Sequence, residues 1–192
     1  MYNVVKRTFD IIVSSILLLV LLPMLIFTAA VIKLSSPGPV FYCAPRAGLR
    51  GKPFLIIKFR TMKLGADKGS GTTALKDPRI TKYGTFFRNY KIDELPQLIN
   101  VLIGDMSLIG PRPERPQLEE KLNEKIPNYK YRHIVKPGLS GWAQVNLPYG
   151  SSISDSSEKL SYDLFYIQNK SIWLDLLIFI QTIKLIFNMK GY

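Results

Sequence analysis

The longest uninterrupted apolar stretch lies near the N-terminus, where residues 11–32 (IIVSSILLLVLLPMLIFTAAVI) carry no charged side chain. As a helix, this stretch would measure about 33 Å, which matches the ~30 Å thickness of a hydrocarbon core. It is longer than the apolar region of a usual signal peptide, and no small-residue cleavage motif follows Lys33. The pattern therefore predicts a helix that stays in the membrane.

The path of this helix depends on its flanking charges and on Pro23. Lys6 and Arg7 precede the apolar stretch and Lys33 follows it, so the positive-inside rule draws both ends towards the cytoplasm. A proline inside a helix removes one backbone hydrogen bond and bends the helix. We expect a re-entrant hairpin that enters and leaves the same leaflet. A straight span is the alternative, because proline kinks are also common in spanning helices.

Beyond the membrane segment, short apolar runs alternate with glycine and proline. SSPGPVFY predicts a turn that leads into an extended stretch, and FLIIKFRTM resembles a strand with basic residues near its end. Residues 64–81 (LGADKGSGTTALKDPRIT) are polar and rich in glycine, threonine and lysine, which is typical of a mobile loop. No internal repeat is visible.

The second half of the chain has helical periodicity in three places. Four apolar residues fall at helical spacing before Gly104, a plausible helix stop: Leu95, Leu98, Ile99 and Leu102. Pro96 is tolerated only in a first turn, so this helix should begin between Asp93 and Leu95. A second helix is expected within residues 115–132. The last stretch, residues 172–187 (IWLDLLIFIQTIKLIF), suits either the membrane interface or the protein core, and Trp173, Tyr162 and Tyr166 are candidate headgroup anchors.

Charge narrows the choice of partner. Lys and Arg number 26 against 14 Asp and Glu, so the formal net charge of +12 favours a nucleic acid, an anionic membrane surface or a phosphorylated substrate. Gly51-Lys52 is followed by Pro53, so there is no Walker loop, and no nucleic-acid motif is present.

The single Cys43 excludes an intramolecular disulfide, and the single His133 excludes a multi-histidine metal site.

Asp93-Glu94 is the sharpest acidic feature. Adjacent carboxylates at the start of a helix are stabilised as anions, so one interpretation of the pair is a helix cap. Alternatively, one carboxylate attacks phosphorus while the other holds Mg²⁺, which usually takes one or two carboxylates together with substrate phosphates. Basic residues are concentrated between Arg46 and Pro113, which favours a phosphate site over scattered solvated charges.

The order of motifs resembles that of the bacterial sugar transferase family, the monotopic polyprenyl-phosphate phosphoglycosyl transferases. The matching stretches run nearly end to end: KRTFDIIVSS, SSPGPVFY, RAGLRGKPFLIIKFRTM, DPRITKYGTFFR, DELPQLINVLIGDMSLIGPRPE, RHIVKPGLSGWAQVN and YDLFYIQNKSIWLDLLIFIQTIK. The resemblance implies an α+β, mainly helical fold. It places a re-entrant membrane helix-hairpin in residues 1–36 and a small cytoplasmic catalytic domain with interfacial amphipathic helices in residues 37–192.

The same resemblance implies the chemistry. Asp93 would be the nucleophile that attacks the phosphate on the sugar of a UDP-sugar, releases UMP and passes the phosphosugar to undecaprenyl phosphate. Glu94 would be associated with Mg²⁺, and four basic residues would line the phosphate pocket: Lys58, Arg60, Arg88 and Arg112. The partners are then a UDP-sugar, the lipid acceptor and membrane lipid, with no nucleic acid. The active site would lie on the cytoplasmic face of the bacterial inner membrane and begin glycoconjugate or exopolysaccharide assembly.

Two segments of the chain differ from the pattern of the family. YCAPRAGLRGKPF lacks the polar residues that often precede this block in the family, and LPYGSS replaces a Gly-Arg-Asn pattern of many small members. The second variant is closer to the catalytic part of longer exopolysaccharide-initiating transferases, so we expect a minimal catalytic form or a part reduced to it. The sugar, the downstream polymer and the oligomeric state stay open. A non-catalytic basic membrane module and a polytopic-type transferase with a ternary complex are the alternative functions.

Overall fold

The computed structural model describes residues 1–66, 77–148, 150 and 152–187. These residues form a mainly helical α+β fold, as the sequence predicts. The helices are α1 Tyr2–Ser35, α2 Gly84–Asn89, α3 Gln97–Ile103, α4 Pro116–Lys125, α5 Trp142–Asn146, α6 Ile153–Asn169 and α7 Ile172–Phe187, and the strands are β1 Phe41–Ala47, β2 Pro53–Phe59, β3 Ser107–Ile109 and β4 Gly138–Ser140. Much of the expected mobile loop, residues 67–76, lies outside the described residues.

Helix α1 contains the predicted membrane segment. It runs for 34 residues with Pro23 inside it, and it is the one helix among the described residues that is long and apolar enough to cross a membrane. Only 11% of its most apolar 18-residue window is buried. Large apolar side chains along it, such as Leu19, Val20 and Phe27, are mostly exposed. Such a surface is typical of a helix in lipid and not of a core helix of a soluble protein.

The polar residues at the start of α1 attach it to the rest of the protein. The Asp10 side chain is buried, and its Oδ1 accepts a hydrogen bond from the backbone N–H of Leu108 at 3.0 Å. The Arg7 guanidinium donates to the carbonyls of Val101 and Leu102 at 2.5 and 2.7 Å. Arg7 therefore satisfies carbonyls that would otherwise be unpaired at the end of α3.

Two small sheets support the rest of the chain. The predicted extended stretch and strand correspond to β1 and β2, and the structure pairs them as an antiparallel hairpin in which Phe41 pairs with Phe59 and Ala47 with Pro53. Strands β3 and β4 pair in parallel over three residues each. The side chain of Asn100 joins α3 to β2, because it accepts from the N–H of Ile57 and donates to the carbonyl of Leu55.

The main core lies between α3, β3, α6 and α7, with Leu98, Val101 and Ile178 fully buried. Helix α7 contributes Asp175, which accepts hydrogen bonds from Tyr166 at 2.8 Å and from Lys6 at 2.9 Å. Tyr166 is thus a core residue, and its suggested role as a headgroup anchor is wrong. Trp173 has the opposite environment, with 80% of its surface exposed.

Two helix boundaries differ from the sequence prediction. Asp93 and Glu94 lie in a 3₁₀ turn, Ile92–Glu94, and the α-helix begins only after Pro96. Gly104 does end α3, with a left-handed φ of 99°.

The helix expected within residues 115–132 ends early, at Lys125, and a 3₁₀ segment, Tyr129–Ile134, follows it. Pro127 explains this break, since proline disfavours helical backbone in the residue before it.

Candidate active site

The 3₁₀ turn between α2 and α3 presents the two adjacent carboxylates. Lys91 precedes the turn with a left-handed φ of 57°, which redirects the chain between the two helices. Ile92 packs against an apolar cluster that contains Phe59 and Phe87. The backbone of the dyad is therefore fixed from one side by packing, while Asp93 and Glu94 point into a basic environment.

Glu94 is held by two cationic side chains. Lys58 Nζ lies 2.7 Å from Glu94 Oε1, and the Arg112 guanidinium contacts both oxygens, at 2.7 and 3.3 Å. Burial alone would raise the pKa of Glu94, but Arg112 and Lys58 hold it well below its usual range. Glu94 is therefore a carboxylate at neutral pH, and its side chain is fixed by charge-assisted hydrogen bonds.

Asp93 has a different environment. Its side chain is buried, and it makes no hydrogen bond or ion pair with another side chain of the described residues. Burial and the negative charge of Glu94 raise the pKa of Asp93 to about 6, against the attraction of Lys58, Arg88 and Lys91. Asp93 thus has an uncommitted carboxylate, which is charged at neutral pH but poorly solvated.

Three of the four predicted phosphate-binding residues surround this pair. Lys58 and Arg112 contact Glu94 directly, and Arg88, on α2, is close enough to lower the pKa of Asp93. Sequence reasoning missed Lys91, which also acts electrostatically on Asp93. Burial lowers the pKa of Lys91 itself. Arg88 and Lys91 precede the dyad in the chain, whereas Lys58 and Arg112 come from distant segments, and together the four side chains give the dyad a positively charged environment.

Arg60 lies elsewhere. Its guanidinium donates from Nη2 to the carbonyl and hydroxyl oxygens of Ser36, at 2.9 and 2.7 Å, just after the end of α1. The side chain is buried and makes no contact with the dyad among the described residues. Its assignment to the phosphate pocket remains a prediction from the resemblance.

The backbone at Arg112 is held by a buried group that sequence reasoning also missed. Arg132 donates to the Arg112 carbonyl at 2.9 Å, and it forms ion pairs with Asp163 at 2.8 Å and Glu119 at 3.2 Å. His133 contacts the other oxygen of Glu119 at 2.9 Å. This agrees with a structural role for the histidine. Only the position of Arg132 inside the RHIVKPGLSGWAQVN motif hinted at its importance.

A magnesium ion fits this site only in part. No cluster of three or more His, Cys, Asp or Glu side chains exists within the described residues, and both Glu94 oxygens already face cations. Asp93 and Glu94 provide at most two carboxylates, so substrate phosphates and water would have to complete the shell. Mg²⁺ commonly binds in this way at phosphoryl-transfer sites.

The chain belongs to the bacterial sugar transferase family, whose model matches residues 1–189. It is 45% identical over 186 residues to a UDP-N-acetylgalactosamine-undecaprenyl-phosphate N-acetylgalactosaminephosphotransferase of Aeromonas hydrophila. It is 41% identical over 194 residues to the UDP-glucose:undecaprenyl-phosphate glucose-1-phosphate transferase of Escherichia coli K12. An uncharacterised sugar transferase of Bacillus subtilis strain 168 is 40% identical over 192 residues.

Coverage differs among these relatives. The matches take in 96%, 99% and 98% of this chain but 44%, 42% and 90% of the Aeromonas, Escherichia and Bacillus proteins. The chain therefore spans less than half the length of the first two relatives and most of the third. The resemblance inferred from the sequence motifs is confirmed at the level of the family.

Proposed function

We propose that this protein transfers a sugar 1-phosphate from a UDP-sugar to undecaprenyl phosphate and releases UMP. Two curated relatives are named for this reaction with different sugars, N-acetylgalactosamine and glucose, at similar identity. The observation that carries the proposal is the carboxylate pair, with Glu94 held by two cations and Asp93 buried and uncommitted. The sugar itself stays open, since the two relatives differ in it.

The surroundings of the dyad divide the roles between its members. Contacts with two cations, Lys58 and Arg112, lower the basicity of the Glu94 carboxylate and make it a weak nucleophile, whereas Asp93 has no such contact among the described residues. Asp93 is therefore the nucleophile in our proposal. Its carboxylate oxygen attacks the phosphorus bonded to the sugar, the bond from phosphorus to the UMP oxygen breaks, and UMP leaves with that electron pair. A phosphate oxygen of the lipid then attacks the same phosphorus and releases the Asp93 carboxylate.

The cations around the dyad supply what this reaction needs. Phosphoryl transfer between anions depends on charge neutralisation and positioning more than on covalent chemistry. Lys58, Arg88, Lys91 and Arg112 would bind the non-bridging oxygens and hold the phosphate in line with Asp93. Glu94, with the substrate phosphates, would hold Mg²⁺, which adds charge neutralisation. We expect EDTA to abolish turnover and Mg²⁺ to restore it.

The membrane arrangement is part of the proposal. Arg7, near the start of α1, contacts the end of α3, and Ser36, just past its end, contacts Arg60 after β2. A straight helix would separate these two residues by about 44 Å. Asn100 joins α3 directly to β2, so the two anchoring points belong to neighbouring elements. This proximity supports a bend in α1 near Pro23, with both ends on the cytoplasmic face of the inner membrane.

Kinetic order tests the covalent route. Purified protein with Mg²⁺ and a competent UDP-sugar should release UMP without any lipid acceptor, in an amount no larger than the number of active sites. A peptide that contains Asp93 should gain the mass of one phosphosugar, and initial rates with both substrates should show ping-pong behaviour. UDP-glucose and UDP-N-acetylgalactosamine are the first donors to test. If a competent donor gives neither adduct nor burst, and the rate lines intersect, Asp93 is not a covalent nucleophile.

Substitutions test the division of roles. Asp93→Asn should abolish the burst and the adduct, whereas Glu94→Gln should lower turnover severely and raise the Mg²⁺ concentration needed. Both variants should still fractionate with membranes, because neither residue lies in α1. Near-native turnover by Asp93→Asn would remove the nucleophile assignment and leave that residue a role as metal ligand or base.

A further inference from the structure

Gln97 is the first residue of α3 and has an unexplained buried donor. The residue is 2% exposed, and its Nε2 has no hydrogen-bond partner within the part of the chain that the structure describes. Buried amide groups in folded proteins nearly always find a partner, and each exception needs an explanation, of which a catalytic role is one. The Gln97 amide is therefore a candidate contact for something that binds.

The position of Gln97 places it beside the carboxylate pair. It follows Asp93 by four residues and Glu94 by three, and the intervening Leu95 and Pro96 both have right-handed helical backbone. Side chains three or four residues apart on a helix are neighbours, and each leans towards the N-terminus. The Cα–Cβ bond of Gln97 therefore tilts towards the N-terminal end of α3, which is the end next to the dyad.

A second buried amide on the same helix shows what a structural amide looks like here. Asn100 is fully buried, accepts from the Ile57 N–H at 2.9 Å and donates to the Leu55 carbonyl at 2.7 Å. Both of its functional groups are used to join α3 to β2. Gln97 makes no such bonds to any of the described residues, so holding this part of the fold together does not account for its polar group.

We propose that Gln97 is a further catalytic residue, whose Nε2 donates a hydrogen bond to a non-bridging oxygen of the transferred phosphoryl group. This rests on the proposed transfer. While the Asp93 oxygen forms its bond to phosphorus and the bond to UMP breaks, negative charge on the phosphoryl oxygens is stabilised by the fixed donor. Gln97 keeps its proton throughout. The same contact serves the second step, in which the lipid phosphate displaces Asp93.

The test compares Gln97→Met with Asn100→Leu. Methionine matches glutamine in length and removes only the polar group, so Gln97→Met should unfold at the same temperature as the wild type or higher. Its acceptor-independent UMP burst should slow about 10²-fold, the usual effect of losing one such donor. Asn100→Leu should show the reverse pattern, with a lower unfolding temperature and, while folded, a burst rate within a few-fold of the wild type. Gln97→Glu keeps the size but replaces the donor by an acceptor, and it should slow the burst at least as much.

The possible failures are distinguishable. A wild-type burst that Gln97→Met reproduces at the same rate would overturn the role of Gln97 and leave the transfer intact. A Gln97→Met protein that loses rate only in proportion to its folded fraction would show that the amide is structural. If the wild type releases UMP from no donor, the proposed transfer fails, and the role of Gln97 fails with it.

Discussion

Asp93 and Glu94 are adjacent in sequence, yet their surroundings push their pKa values in opposite directions. Two cations contact Glu94 and lower its pKa, whereas burial and the charge of Glu94 raise that of Asp93 to about 6. In the proposed reaction, Glu94 is thus the fixed anion and Asp93 the reactive one. Environment, and not residue type, assigns these roles.

The raised pKa predicts that Asp93 lowers stability at neutral pH. In the unfolded chain an aspartate titrates near pH ~3.9, so between about pH 4 and 6 the folded protein binds more protons. Stability therefore falls as the pH rises through this range. A difference of about two pKa units corresponds to roughly 3 kcal/mol. Asp93→Asn, which cannot ionise, should be more stable than the wild type above pH 6 and equal to it near pH 4.

Thermal unfolding in detergent with EDTA, at pH 7.5 and pH 4, measures this difference. Glu94→Gln is the matched control with the opposite sign. Because the folded pKa of Glu94 is depressed, its ionisation stabilises the protein at neutral pH, and this contribution is lost as the pH falls. Glu94→Gln should therefore unfold at a lower temperature than the wild type at pH 7.5. Equal unfolding temperatures for Asp93→Asn and the wild type at pH 7.5 would contradict the raised pKa.

At the residue scale, sequence reasoning found the dyad and its main cations but not the supporting groups. Motif resemblance pointed to Lys58, Arg88 and Arg112, which the fold brings together from distant positions. No periodicity or spacing indicates that Arg132 holds the backbone at Arg112, or that Gln97 has an unpaired donor. Such features depend on burial and on contacts between elements, and these exist only in the folded chain.

The clearest prediction at the scale of elements concerns the membrane topology of helix α1. Basic residues flank its apolar stretch on both sides, and its two ends contact neighbouring elements. We expect residues 1 and 192 to lie on the same, cytoplasmic side. Single cysteines near each end, introduced with Cys43→Ser, should react with a membrane-impermeant maleimide only after the cells are opened. A membrane-permeant maleimide is the control for reactivity, and labelling of the N-terminal cysteine in intact cells would establish a span.

The contact of α1 with β3 gives a second prediction. Asp10 accepts a hydrogen bond from the buried N–H of Leu108, and Asp10→Ala leaves that donor without a partner. We expect a loss of about 1–3 kcal/mol in the free energy of unfolding. Asp10→Asn keeps an acceptor oxygen and should retain most of the stability. Urea unfolding in detergent measures both, and equal losses for the two variants would assign the effect to charge instead of to the hydrogen bond.

Short-range sequence patterns predicted the elements that depend on neighbouring residues. The long apolar run predicted α1, the short apolar runs between glycine and proline predicted β1 and β2, and Gly104 predicted the end of α3. The parallel pairing of Ser107–Ile109 with Gly138–Ser140 was not predicted, because strands of three residues have no periodicity. The dyad was expected on an α-helix and lies in a 3₁₀ turn, since Pro96 delays the start of α3.

At the scale of the whole molecule, the candidate site depends on segments that are far apart in the chain. Lys58 comes from β2, Arg112 from the segment after β3, and the carboxylates from the turn before α3. Arg132 connects this site to α4 and α6 through Glu119 and Asp163. A single buried guanidinium thus links the packing of two helices to the position of Arg112.

Two substitutions of Arg132 should therefore separate its effect on the stability of the protein from its effect on the rate of UMP release. Arg132→Met leaves Glu119 and Asp163 without their buried cation, and breaking such a pair from one side costs about 3–5 kcal/mol. Arg132→Lys keeps the charge, but an ammonium group lacks the planar fork that reaches Asp163 and the Arg112 carbonyl together. This variant should remain folded at 20 °C and release UMP more slowly. His133→Gln changes the same network without touching Arg112, so its burst rate should match the wild type. Arg132→Lys with a wild-type burst would show that Arg112 holds its position without this support.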